Sequence, residues 1–190
     1  LLVFFQTPDA TTSYHRVGSH GSDNFQMLHH DYWSNQILGG QNNKGKVSFS
    51  GWVYSDWSSL GNATPRIFDV GNTRLTFYYD TSASELRWYA RYGDNETVYW
   101  NWASFTPTDD AWTHLAVTFD YGATYADVVA PILYVNGTSQ GNGALVSSDV
   151  ESTDTPDYYN DHPMLFGNRW NDDRDFSGRF KNFGSRLNNN

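Results

Sequence analysis

A chain of 190 residues is long enough to bury one sizeable core and too short to need two. Its formal net charge of −9 repels phosphate backbones, which argues against nucleic acid as a partner, and no apolar run is long enough to insert into a bilayer. Cysteine is absent, so disulfides, thiolate metal sites and thiol catalysis are excluded as well.

Glu and Lys, both good helix formers, occur three times each, whereas there are eight Trp, thirteen Tyr and twelve Phe. Strands joined by polar turns are therefore expected. The opening Leu1-Leu2-Val3-Phe4-Phe5 is too short for a signal peptide and lacks a positive leading segment. It reads as a strand or interface arm, so residues 1–20 are set apart as an arm or edge strand from one domain over 21–190. Val47, Phe49, Gly51 and Val53 then alternate with Ser48, Ser50, Trp52 and Tyr54. Leu75, Phe77 and Tyr79 share one face of the next strand, and Leu86, Trp88 and Ala90 alternate with Arg87, Tyr89 and Arg91. Gly93-Asp94-Asn95 separates that strand from another carrying Trp100-Asn101-Trp102, two indoles on one face with an amide on the other. Thr106 to Asp110 is a loop. Leu115, Val117 and Phe119 alternate with His114, Ala116 and Thr118, and Ile132 to Val135 runs into Asn136-Gly137, a tight hairpin turn. Ser147 to Pro163, rich in Ser, Thr, Asp and Pro, reads as one long loop. Period-two alternation at this spacing describes an all-β, antiparallel two-sheet sandwich.

Three segments in order resemble laminin-G-like jelly rolls of the concanavalin A-like superfamily. They are Val47-Ser48-Phe49-Ser50-Gly51-Trp52-Val53-Tyr54, the run Asp110 to Asp120 around Trp112-Thr113-His114, and Ile132-Leu133-Tyr134-Val135-Asn136-Gly137. Leu165 to Asn168 and Phe176 to Phe183, closing on Arg186-Leu187, are similar to that family's ending, with Asn182 where the family has Asp. The resemblance spans residues 47–187, with Asp23 to Met27 as an earlier strand, and implies a jelly-roll sandwich of two antiparallel sheets. It leaves the ligand open, because this scaffold carries lectins, adhesion modules, hydrolases and virion parts alike.

Hydrolases of this fold need two carboxylates about 5 to 10 Å apart across a cleft, which related glucanases draw from a Glu-x-Asp-x-x-Glu strand. Glu85, Glu96 and Glu151 form no such pattern, and Asp69 and Asp80 read as strand-end residues. His114 beside Trp112 reads as structural, as Trp88 and Trp112 read as packing. Adjacent His29-His30 would point to opposite faces of a strand and so do not converge on one metal. The resemblance implies calcium at a rim, and the loop Asn168 to Asp175 offers Asp172, Asp173 and Asp175, with two Arg that can cancel them. For a sugar, the parts required are aromatic faces with amides or carboxylates beside them. Trp100, Asn101 and Trp102 are the first candidates, followed by the loop aromatics Tyr158, Tyr159 and Trp170.

The expectation is a non-enzymatic binding module on a cell or particle surface that recognises glycans. A rival reading is a structural protein of a virion, fibre or filament, assembling with neighbouring protein subunits through residues 1–10. Glycoside hydrolase or polysaccharide lyase activity is a third, minor reading.

Overall fold

The computed structural model describes residues 15–17, 25–26, 46–71, 73–157, 164–169, 171 and 173–187. They form β1 (His15–Val17), β2 (Phe25–Gln26), β3 (Lys46–Ser55), β4 (Arg66–Val70), β5 (Leu75–Asp80), β6 (Glu85–Tyr92) and β7 (Glu96–Trp102). These are followed by β8 (Ala111–Asp120), β9 (Val129–Val135), β10 (Thr138–Asn142), β11 (Ala144–Ser148), β12 (Met164–Phe166) and β13 (Gly178–Leu187). Among the described residues the only helical pieces are two 3-10 turns of three residues each. All ladders are antiparallel. One sheet runs β1-β13-β3-β8-β9-β10 and the other β11-β7-β6-β5-β4-β12-β2. This is the antiparallel two-sheet sandwich that the alternation called for, and the jelly roll that the resemblance implied.

The alternating apolar residues meet between the sheets. Val47, Phe49 and Val53 of β3 and Leu115, Val117 and Phe119 of β8 face Phe68, Leu75, Phe77, Leu86 and Trp88 of the opposing sheet. Phe49 stacks on Phe68 at 4.5 Å between centroids, and Trp88 meets Phe119 edge-on at 5.6 Å. Fully burying an aromatic side chain contributes about 2–3 kcal/mol, and these paired rings add to it. The Asn136-Gly137 turn has φ of 50° and 80°, the left-handed pair that a two-residue hairpin requires. It joins β9 to β10. The chain then switches sheets at Gly143, where a Cβ would come within 2.7 Å of the Trp100 Cβ. Only glycine lets that crossover pass so close to the core.

Several expectations need correction. Ser147 and Ser148 belong to β11, so the long segment to Pro163 does not begin as a loop. Its later part is tied down by Gly93 N–H to the Thr155 carbonyl and by a bridge between Tyr92 and Pro156. Trp112, expected in the core, lies half-buried on the outward face of β8, while Thr113 points inward. Trp57, in the 3-10 turn after β3, is core. Of the proposed arm, His15–Val17 pairs with β13, and residues 1–10 lie outside the described residues.

Candidate functional site

Trp100 and Trp102 are each 3% exposed and belong to the core, so they do not form a sugar-facing pair. Trp102 is fixed there because its Nε1–H donates to the Gly141 carbonyl at 3.1 Å. Inward packing satisfies the indole nitrogen as well as the ring. The alternation that buries these two indoles turns Asn101 outward, where it remains half-exposed.

Asn101 stands in a two-row lattice on the outward face of the seven-stranded sheet. Cross-strand register aligns Asp69, Thr76, Tyr89 and Tyr99 in one row, and Arg66, Tyr78, Arg87 and Asn101 in the next. Arg87 organises the second row. Its Nε donates to Glu85 Oε1 at 2.6 Å, and its Nη1 lies 2.9 Å from Asp80 Oδ2. The guanidinium also sits 5.5 Å from the Tyr99 ring centroid. Asn101 Nδ2 donates to the other Glu85 oxygen at 2.6 Å, which leaves the amide carbonyl turned to other partners. Asp80 Oδ1 accepts the Ser82 and Ala83 backbone N–H groups. Burial would raise the Asp80 carboxyl, but these hydrogen bonds and the Arg87 charge hold it below the usual carboxylate value.

The other end of the lattice is deeper. Asp69 is wholly buried, accepting from the Thr73 backbone N–H and the Thr76 hydroxyl at 2.9 Å each. Burial pushes its carboxyl up to about 6, against the opposing pull of Arg66 and these hydrogen bonds. Arg66 lies over the Tyr78 ring at 4.6 Å, and its buried Nε makes no hydrogen bond, with Asp69 Oδ2 4.0 Å away. The face is thus graded from a closed end at Asp69 to half-exposed Tyr89, Tyr99, Arg87 and Asn101.

Tyr158, Tyr159, Trp170 and Asp172 lie outside the described residues, as do His29 and His30. Asp173 is engaged by Arg169, and Asp175 Oδ1 accepts from Asn62 Nδ2 at 3.4 Å. Among the described residues, no group of three His, Asp or Glu is arranged to hold a metal ion. The residues that sequence reasoning passed over are Glu85, Arg87, Tyr89 and Tyr99. Their signal was present in the alternation of β6, whose second face carries two arginines and a tyrosine where a plain solvent face would carry small polar residues.

Residues 19–184 match the profile of a laminin-G-type family described as the concanavalin A-like lectin/glucanases superfamily. The chain belongs to that superfamily. No curated protein matches the sequence. Among solved structures, this laminin-G-like chain is similar to domains LG4-5 of the mouse laminin alpha1 chain, with a TM-score of 0.56 at 10% identity, covering 92% of this chain and 42% of that one. It is also similar to the binding domain of botulinum neurotoxin DC in complex with rat synaptotagmin II, with a TM-score of 0.56 at 13% identity over 97% and 42% of the two chains. The same toxin domain in complex with SialylT gives 0.53 at 13% identity over the same shares. At these identities the likeness is one of fold, and this chain spans about two-fifths of the length of those proteins. The toxin structures are of a binding domain.

Proposed function

We propose that this laminin-G-like chain is a non-enzymatic binding module acting outside the cell, and that it holds a glycan on the outward face of the seven-stranded sheet. The observation that carries the reading is the Asn101–Glu85–Arg87 network beside Tyr99 and Tyr89. It offers a fixed amide and guanidinium for hydroxyl groups and half-exposed rings for a sugar's C–H surface. Because the strands hold these groups before any ligand arrives, little ordering entropy is lost on binding. Similarity to a domain seen with SialylT, and to one seen with a protein, supports a binding role of this class.

Hydrolysis is disfavoured by the same geometry. Asp80 and Glu85 face each other in the ladder and share the Arg87 guanidinium. A general acid must keep its proton, which hydrogen bonds and the Arg87 charge oppose at Asp80. No described helix is long and apolar enough to cross a membrane.

The test is a glycan array followed by calorimetry on the whole chain and on Tyr99→Ala and Asn101→Ala. Each variant is expected to bind the selected glycan at least about tenfold more weakly while still unfolding cooperatively as a folded domain. Full affinity in both variants would move the site elsewhere.

The rival reading, a structural subunit, has one feature in its favour. Edge strand β11 is exposed along its length, with Leu145 57% and Val146 41% exposed. Concentration-dependent assembly lost in Leu145→Lys, without glycan binding, would favour that alternative.

A further inference from the structure

The outward face of the six-stranded sheet has a different chemistry from the site above. The strands of that sheet carry Arg16, Lys46, Arg179, Lys181 and Arg186 against a single acidic residue, Asp120, in a chain whose net charge is −9. Asp120 is taken by Lys46 at 3.5 Å. The seven-stranded sheet, by contrast, carries three arginines against four carboxylates. The basic surplus is thus concentrated on one sheet of an acidic molecule, and most of it lies on β13.

Register places that surplus against aromatic rings. β13 lies beside β3 and β3 beside β8, so Lys181, Trp52 and His114 form one row, and Arg179, Tyr54 and Trp112 the next. Arg179 lies 5.0 Å from the Tyr54 centroid. The Lys181 ammonium is held between two indoles, 4.3 Å from the centroid of Trp112 and 5.4 Å from that of Trp52. His114 packs edge-on against Trp52 at 5.2 Å, and burial lowers its pKa, so at neutral pH it adds a polar ring rather than a charge. All six side chains are half-buried, and no carboxylate pairs with Lys181 among the described residues.

We infer that this face is a second binding site, for a sugar ring bearing an anionic group, with the anion reaching Lys181 and the ring lying against Trp52 and Trp112. A cation resting on a ring spends little of its hydrogen-bonding capacity there, and an ammonium keeps N–H donors for an anion. The aromatics fix the position of the charge, and the neighbouring Ser50, Ala116 and Thr118 keep the approach shallow and uncharged. A compact anionic sugar suits the charge distribution better than an extended polyphosphate, which would run past this patch onto a molecule of net charge −9. The inference stands independently of the reading of the opposite sheet.

The test is calorimetric titration of the whole chain with a short oligogalacturonate, a sulfated oligosaccharide of equal length and a neutral counterpart, at low and high salt. The two acidic probes separate carboxylate from sulfate as the preferred anion, and binding of either one supports the site. Affinity for it is expected to fall at least about tenfold in Lys181→Gln and to weaken with salt, while Lys181→Arg retains most of it. Trp112→Phe keeps a stacking surface and guards against simple unfolding. Its affinity should lie between those of wild type and Trp112→Ala. Tyr99→Ala, on the other sheet, should leave acidic-sugar binding intact whether or not it affects a neutral glycan. Lys181→Gln binding like wild type, neutral and acidic probes binding equally, or a single-stranded oligonucleotide outcompeting both sugars would each overturn the inference.

Discussion

The two outward faces are built by the same alternation, yet they handle charge in opposite ways. On the seven-stranded sheet Arg87 is bound by Glu85 and Asp80, so cation and carboxylate neutralise one another within the face. On the six-stranded sheet Lys181 rests between two indoles. Carboxylate pairing fixes a guanidinium and saturates its donors, whereas ring contact fixes a cation and leaves its charge available. The first arrangement presents amides and hydroxyls, and the second presents charge. A fold shared by binding domains of unlike ligands can differ in nothing more than which partner its surface cations meet.

The largest expected effect separates inner from outer tryptophans. Trp100→Ala should lower unfolding free energy by about 3–5 kcal/mol, because it opens a cavity in the aromatic core. Trp112→Ala, on the half-exposed face, should cost only about 1–2 kcal/mol. Urea denaturation of both variants checks this, and equal losses would mean that the two indoles are equally buried.

The next effect compares the cations directly. Arg87→Met leaves Asp80 and Glu85, whose side chains are 8% and 7% exposed, without their shared cation, and should cost about 3 kcal/mol. Lys181→Met removes only ring contacts and should cost about 0.5–1 kcal/mol. A Lys181 variant as destabilised as the Arg87 variant would show that the six-stranded face has a hidden carboxylate partner.

A third comparison is a pH dependence confined to the closed end of the seven-stranded face. With its carboxyl raised to about 6 in the folded state, Asp69 binds its proton more tightly there than in the unfolded chain. Its contribution to stability is therefore greatest at low pH and declines as pH rises from about 4 to about 6. Asp69→Asn removes that decline, so the stability of wild type relative to the variant should shrink across this window and level off above it. Thermal melts of the two proteins from acid to neutral pH test the sign.

Much of this was legible without a structure. The strands around Phe49, Phe77, Trp88 and Val117 follow from period-two alternation, because a half-buried strand must segregate its two faces. The Asn136-Gly137 turn follows from the tolerance of those residues for positive φ. The site was less legible. In β7 both faces carry binding-capable residues, Trp100 and Trp102 on one and Tyr99 and Asn101 on the other, and alternation does not say which of them turns inward. Trp112 sits in a core strand, but the parity of Leu115, Val117 and Phe119, followed back, puts Thr113 on the inner face and Trp112 on the outer one.

By itself, then, the sequence determined the all-β class, the strand spacing and the segregation of each strand into two faces, because these depend on neighbours within a few residues. Which face met the opposing sheet, and which distant side chains became neighbours, only the tertiary structure decided. Lys181 lies far along the chain from both Trp52 and Trp112, and Glu85 is sixteen positions from Asn101. Strand register brought each set together, and register is set by packing across the whole sheet rather than by any local preference.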